Sequence, residues 1–106
     1  MSKENLRATV IGDHLDSLVD SLQQSYWSTA HVSATEIRNL KPDKVVMFQP
    51  FIWLDVLIIE ATLWNDGIRS KIESVVKTPV IVADSENGVF DFQKLLQQIR
   101  ETVEVS

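Results

Sequence analysis

Leu54-Asp55-Val56-Leu57-Ile58-Ile59-Glu60 sets an unbroken apolar run between two carboxylates. A helix lying on a protein surface needs a polar face, and residues 56–59 offer none. A strand buried on both faces, as parallel strands are, requires such a run. The strand reading is therefore favoured. The competing reading is a long helix with Pro50 in its first turn, and periodicity over so short a stretch does not separate the two.

Upstream, Ala8-Thr9-Val10-Ile11 is a β-branched run stopped by Gly12-Asp13, which predicts a strand. Leu15, Leu18, Val19 and Leu22 then recur at helical spacing with Asp16, Asp20 and Gln23 between them, an amphipathic helix that Asp13 is placed to cap. Ala30, Val32 and Ala34 alternate, as a second strand would, and residues 35–40 fit a brief helix closed by Lys41-Pro42. Val45-Val46-Met47-Phe48 is another run of strand length before Pro50. Downstream, Asn65-Asp66-Gly67 signals a turn, and Ile68, Ile72, Val75 and Val76 keep one face of a helix ending near Lys77. Thr78-Pro79 forces an extended entry into Val80-Ile81-Val82-Ala83, a strand, and residues 84–88 form a loop. Phe92, Leu95, Leu96, Ile99 and Val103 mark a last amphipathic helix with Asp91 as its cap. Strands alternating with helices imply right-handed crossovers and helices on both faces of a parallel sheet. The expectation is one α/β domain over residues 1–106, a flavodoxin-like three-layer fold with a mainly parallel sheet of four or five strands. Residues 45–48 would supply the fifth.

With 106 residues the chain has room for one hydrophobic core. Its formal charge of −5, and ten Lys and Arg scattered without a run, argue against nucleic acid or an anionic membrane as main partner. The absence of cysteine removes disulfides, iron–sulfur clusters, thiol nucleophiles and cysteine-held zinc, and fits a cytoplasmic protein. Residues 1–7 are polar and lack the apolar core of a secretion signal. The apolar stretch 51–64, broken by Asp55 and Glu60, is too short to span a bilayer.

Val10-Ile11-Gly12-Asp13-His14 with Leu18 and Leu22, Asp55-Val56-Leu57-Ile58-Ile59-Glu60 with Asn65-Asp66-Gly67-Ile68, Thr78-Pro79-Val80-Ile81-Val82-Ala83, and Lys94-Leu95-Leu96-Gln97-Gln98-Ile99-Arg100 together resemble the receiver domain of bacterial response regulators. The resemblance touches about half the chain and rests on strand and helix patterns that other α/β folds share. It implies an acidic pair after the first strand for magnesium, of which Asp13 stands while Gly12 occupies the other position. It implies a phospho-accepting aspartate where Glu60 stands, or, with residues 45–48 as third strand, Phe48 or Gln49. The hydroxyl residue after the fourth strand corresponds to Asp84, with Ser85 beside it. The receiver lysine has no counterpart between Asp84 and Asp91. Phosphoryl transfer needs a metal and fixed cations around the equatorial oxygens. The resemblance therefore implies a degenerate receiver, a signalling module working by protein contact, with Glu60 as a permanent charge at the acceptor position.

Asp13, Glu60 and Asp84 all fall at strand ends, where open α/β sheets gather ligands, and as a trio they offer oxygen ligands to a divalent cation. The plainer reading has Asp13 capping a helix, Glu60 solvated at its strand end and Asp84 shaping an Asx turn. His14 and His31 match no metal or general-base spacing, and no serine sits in a nucleophile elbow. Glycines at 12, 67 and 88 form no phosphate cradle, so neither nucleotide nor other cofactor is expected. Phe48, Phe51, Ile52, Trp53, Leu63 and Trp64 are many large side chains for a small core. They either fill the second helical layer or meet another chain. Phe51, Trp53, Leu63 and Trp64 are accordingly the candidate interface, toward a partner protein or a homodimer. The alternative function is a small-molecule-binding or enzymatic flavodoxin-like subunit of a larger system.

Overall fold

The decisive run is a strand: Val56–Glu60 forms β3, and all five of its residues are buried. The structure, a computed structural model, describes residues 6–25, 27–52 and 54–105. Around β3 lie β1 (Arg7–Ile11), β2 (Ser28–Val32) and β4 (Val80–Ala83), in the order β2-β1-β3-β4 with every pairing parallel. This is the flavodoxin-like order, ending at its fourth strand. Val10 stands beside Ile58, and Ile58 beside Ile81, so the centre of the sheet is a row of branched side chains.

Alternation along β3 divides the core into two layers. Val56 and Ile58 join Leu18 and Leu22 of α1 (Asp16–Gln24) and Leu95 and Ile99 of α4 (Phe92–Val105). Leu57 and Ile59 join Ile37 of α2 (Ala34–Asn39) and Ile68 and Ile72 of α3 (Asp66–Glu73) on the other face. Local chemistry sets the helix starts. Ser33 and Glu36 form a reciprocal capping box on α2, Asn65 accepts the Ile68 amide of α3 at 3.1 Å, and Asp91 accepts the Lys94 amide of α4 at 3.1 Å.

Residues 45–48 are not a strand. Pro42–Met47 is a 3-10 helix with proline in its first turn, followed by a second short 3-10 helix, Gln49–Phe51. Side chains three apart eclipse in such a helix. Val45, Phe48 and Phe51 all pack inward while Val46 and Met47 are exposed, with Phe48 in extended conformation between the two helices. The Phe48 and Phe51 rings meet edge to face with centroids 4.9 Å apart.

That packing also corrects the candidate interface. Phe51 and Leu63 are buried in the second layer, so neither presents a surface to another chain. Trp64 is half-buried with the Arg69 guanidinium over its ring at 5.9 Å, and Trp53 lies outside the described residues. Among the described residues the large apolar side chains that are exposed are Val46, Met47, Ile52, Val82 and Val89. No helix among the described residues is long and apolar enough to cross a membrane.

Ile58 has no exposed surface at the middle of the sheet. Ile58→Ala is expected to cost about 2–5 kcal/mol through lost burial and the cavity left behind. Val46→Ala on the outer side of the 3-10 turn should change stability by less than about 0.5 kcal/mol. Urea unfolding of both variants measures the contrast.

Candidate functional site

The chain leaves β1 for β2 on one side, and β3 lies on the other, so the carboxyl ends of β1 and β3 border the point where strand order reverses. Two segments meet there: the loop from Gly12 to Leu15 and the end of β3 at Glu60. Glu60 is only 4% exposed, not solvated, although it is ionisable. A buried carboxylate is costly unless donors replace its water. His14 supplies them: its backbone N–H donates to Oε2 at 3.0 Å, and its ring Nδ1 lies 3.0 Å from Oε1.

The loop can deliver those donors because residue 12 is glycine. Gly12 has φ +145°, and a Cβ there would collide with the Glu60 carboxylate lying across it. The turn is tied down on its far side as well. The Gly12 N–H donates to the Val32 carbonyl at 2.9 Å, and His31 Nε2 donates to the Gly12 carbonyl at 2.7 Å. His31 Nδ1 stands 3.6 Å from an Asp16 carboxylate oxygen.

Asp13 does not cap α1. That helix starts from Leu15 without a side-chain cap, and the Asp13 carboxylate instead accepts the Ala34 amide at 3.0 Å, holding the start of α2. The turn at Gly12 points residue 13 toward β2 and its following helix, which is why adjacency in sequence misleads here. The expected trio is thus divided. A cavity of about 200 Å3 lies beside the pair, lined by Glu60, His14, Asp84, Ser85, Thr62 and Phe90, while Asp13 faces α2. Among the described residues no three His, Asp or Glu side chains are grouped to hold a metal ion.

The rim beyond Asp84 is a tight hairpin. Glu86 and Val89 exchange backbone bonds of 3.0 and 2.9 Å across Asn87 and Gly88, both at positive φ, the two-residue turn that Asn-Gly favours. His14 is the residue at this point that sequence spacing missed, since its partner is 46 positions away. The available signal was chemical: a charge ending an all-apolar strand needs a donor, and a glycine-led loop ending the neighbouring strand carries a histidine. No family model, curated protein or solved structure matches the chain.

The hydrogen bond to Glu60, and then its negative charge, raise the His14 pKa above the ordinary 6.5, with Asp13 and Asp16 adding in the same direction and desolvation opposing. The folded state therefore holds this proton more tightly than the unfolded chain. The resulting stabilisation is fully present below pH 6.5 and is lost as pH rises through the raised value. Unfolding of wild type and His14→Gln across this range should show a stability difference that shrinks with rising pH.

Gly12→Ala is expected to destabilise by about 1–3 kcal/mol from backbone strain alone, and further from the collision with Glu60. In the Glu60→Ala background the collision is absent, so the same substitution should cost less. A double-mutant cycle by urea unfolding reads this coupling.

Proposed function

We propose that the chain is a receiver-like regulatory module that acts through protein contacts and does not carry out aspartyl phosphorylation. The observation that carries this reading is the commitment of Glu60. Its carboxylate occupies the acceptor position implied by the resemblance to receivers, yet both oxygens are engaged by His14 and the side chain folds over Gly12 in a buried position. Phosphoryl transfer needs an acceptor oxygen open to in-line approach, with a metal and cations positioned around the transferring group. Here the carboxylate that would attack is used to fasten the β1–α1 loop to β3.

Asp13, the remaining member of the acidic pair implied by that resemblance, is likewise engaged, as acceptor for the first amide of α2. The chemistry that receivers place at this rim is replaced by internal bonding. A module built this way transmits its state by the surfaces it shows to a partner protein, in the cytoplasm that a cysteine-free chain suits. Val46 and Met47, at 64% and 63% exposure, are apolar residues of the kind such contacts use.

Incubation with acetyl phosphate and magnesium, followed by intact-mass measurement, tests the proposal. The mass is expected to stay that of the unmodified chain, in wild type and in His14→Ala alike. A stable phosphoryl adduct mapped to Glu60 or Asp13 would overturn the reading.

A further inference from the structure

β4 pairs with β3, and no strand among the described residues pairs with its other side. The register determines which backbone groups are left over. The Leu57 amide donates to the Pro79 carbonyl at 3.1 Å. In a parallel ladder of that phase, residues 79, 81 and 83 turn their backbone groups toward β3, and Val80 and Val82 turn theirs outward. Protein edges are usually defended by charged side chains, a bulge or a proline within the strand. Val80-Ile81-Val82-Ala83 has none of these, and Val82 is 38% exposed. The opposite edge, Ser28-Thr29-Ala30-His31-Val32, is polar by comparison.

Beside the β4 edge runs a groove of about 820 Å3, with Val82, Val89, Phe90 and Phe92 along it. Its charged lining is Asp84, Glu86 and Asp91 against Lys94 alone. An occupant must satisfy both features: extended backbone for the outward groups of Val80 and Val82, and positive charge for the carboxylates. A second copy of the chain meets the first requirement and fails the second, because it brings the same acidic lining and a formal charge of −5.

We propose that the outer edge of β4 takes up an extended segment of a partner protein in which apolar residues alternate with lysine or arginine, adding to the sheet as a fifth strand. This rests on the reading of the chain as a contact module and assigns that contact a place and a chemistry. Main-chain bonds to Val80 and Val82 give the segment its register. Its apolar side chains meet Val82 and the aromatic lining, and its cations meet Asp84 and Glu86.

The test uses the full chain and a fluorescein-labelled hexapeptide of alternating valine and lysine, with the valine–glutamate peptide as control. The lysine peptide should bind by fluorescence anisotropy, more weakly as salt rises, and should slow hydrogen exchange of the Val80 and Val82 amides; the control should not bind. Val82→Pro removes an outward N–H without breaking a bond to β3, and should abolish binding. Asp84→Lys with Glu86→Lys leaves the ladder untouched and should weaken the lysine peptide by about tenfold while admitting the glutamate peptide. The proposal fails if neither peptide binds the folded wild-type chain, or if the lysine peptide binds a folded Val82→Pro variant equally well. It also fails if the Val80 and Val82 amides are already protected in a dimer seen by light scattering. A phosphoryl adduct in the acetyl phosphate experiment would remove the contact-only reading and leave these peptide results standing, so the two failures are distinct.

Discussion

Glu60 ends a strand whose other residues are apolar and buried on both faces, and its own carboxylate is buried with them. Water cannot answer that charge, so the protein must, and the adjoining loop is shaped by the need. The backbone N–H of His14 reaches the carboxylate only if the chain turns sharply after β1. Gly12 makes the turn at a φ that side chains resist, and leaves open the space the carboxylate fills. Val32, His31 and Ala34 then hold the outer side of the turn through the Gly12 amide, the Gly12 carbonyl and the Asp13 carboxylate. The carboxyl ends of β1, β2 and β3 are thereby fastened together around one buried charge.

The same bonding bears on chemistry. The point of strand reversal is where an open α/β sheet usually exposes reactive groups to a ligand. In this chain the acidic groups at that point are spent on internal partners, Glu60 on His14 and Asp13 on Ala34. Asp84 stays exposed at the rim and lines the small cavity beside them. The acceptors at this point thus hold the shape of the rim.

Much of the fold could be read from periodicity because the relevant runs are long or repeated. β3 is favoured in residues 56–59 by the lack of the polar face a surface helix needs, with periodicity alone leaving a helix open, and α4 is legible through Phe92, Leu95, Leu96, Ile99 and Val103. Residues 45–48 were not legible, since four apolar residues fit a period of two or three equally well. The deciding facts, inward Val45, Phe48 and Phe51, belong to tertiary packing. Phe51 and Leu63 look surplus to a small core in sequence because the 3-10 turns that house them, Gln49–Phe51 and Ala61–Leu63, leave no periodic signal. Of the candidate site, the positions of Asp13, Glu60 and Asp84 at strand ends were readable, and their partners were not. Each partner is fixed by how strands and loops meet across long sequence separations, 46 residues for Glu60 and His14 and 21 for Asp13 and Ala34.

The two edges of the sheet are unequal in a way the order of strands explains. β2 carries Ser28, Thr29 and His31, and the Gln49–Phe51 turn packs near it, with the Pro50 carbonyl accepting the Thr9 hydroxyl at 2.5 Å in the neighbouring strand. That turn lies over the face of the first two strands. β4 follows a different logic, since a flavodoxin-like sheet continues past its fourth strand and here the chain turns through the Asn87-Gly88 hairpin into α4 instead. α4 covers one face of β4 through Leu95 and Ile99, but a helix on a face cannot satisfy backbone groups that point along the plane of the sheet. The apolar strand is therefore covered on its α4 face and open at its edge, and the carboxylates of the loop after it set the sign of the charge that would complete it.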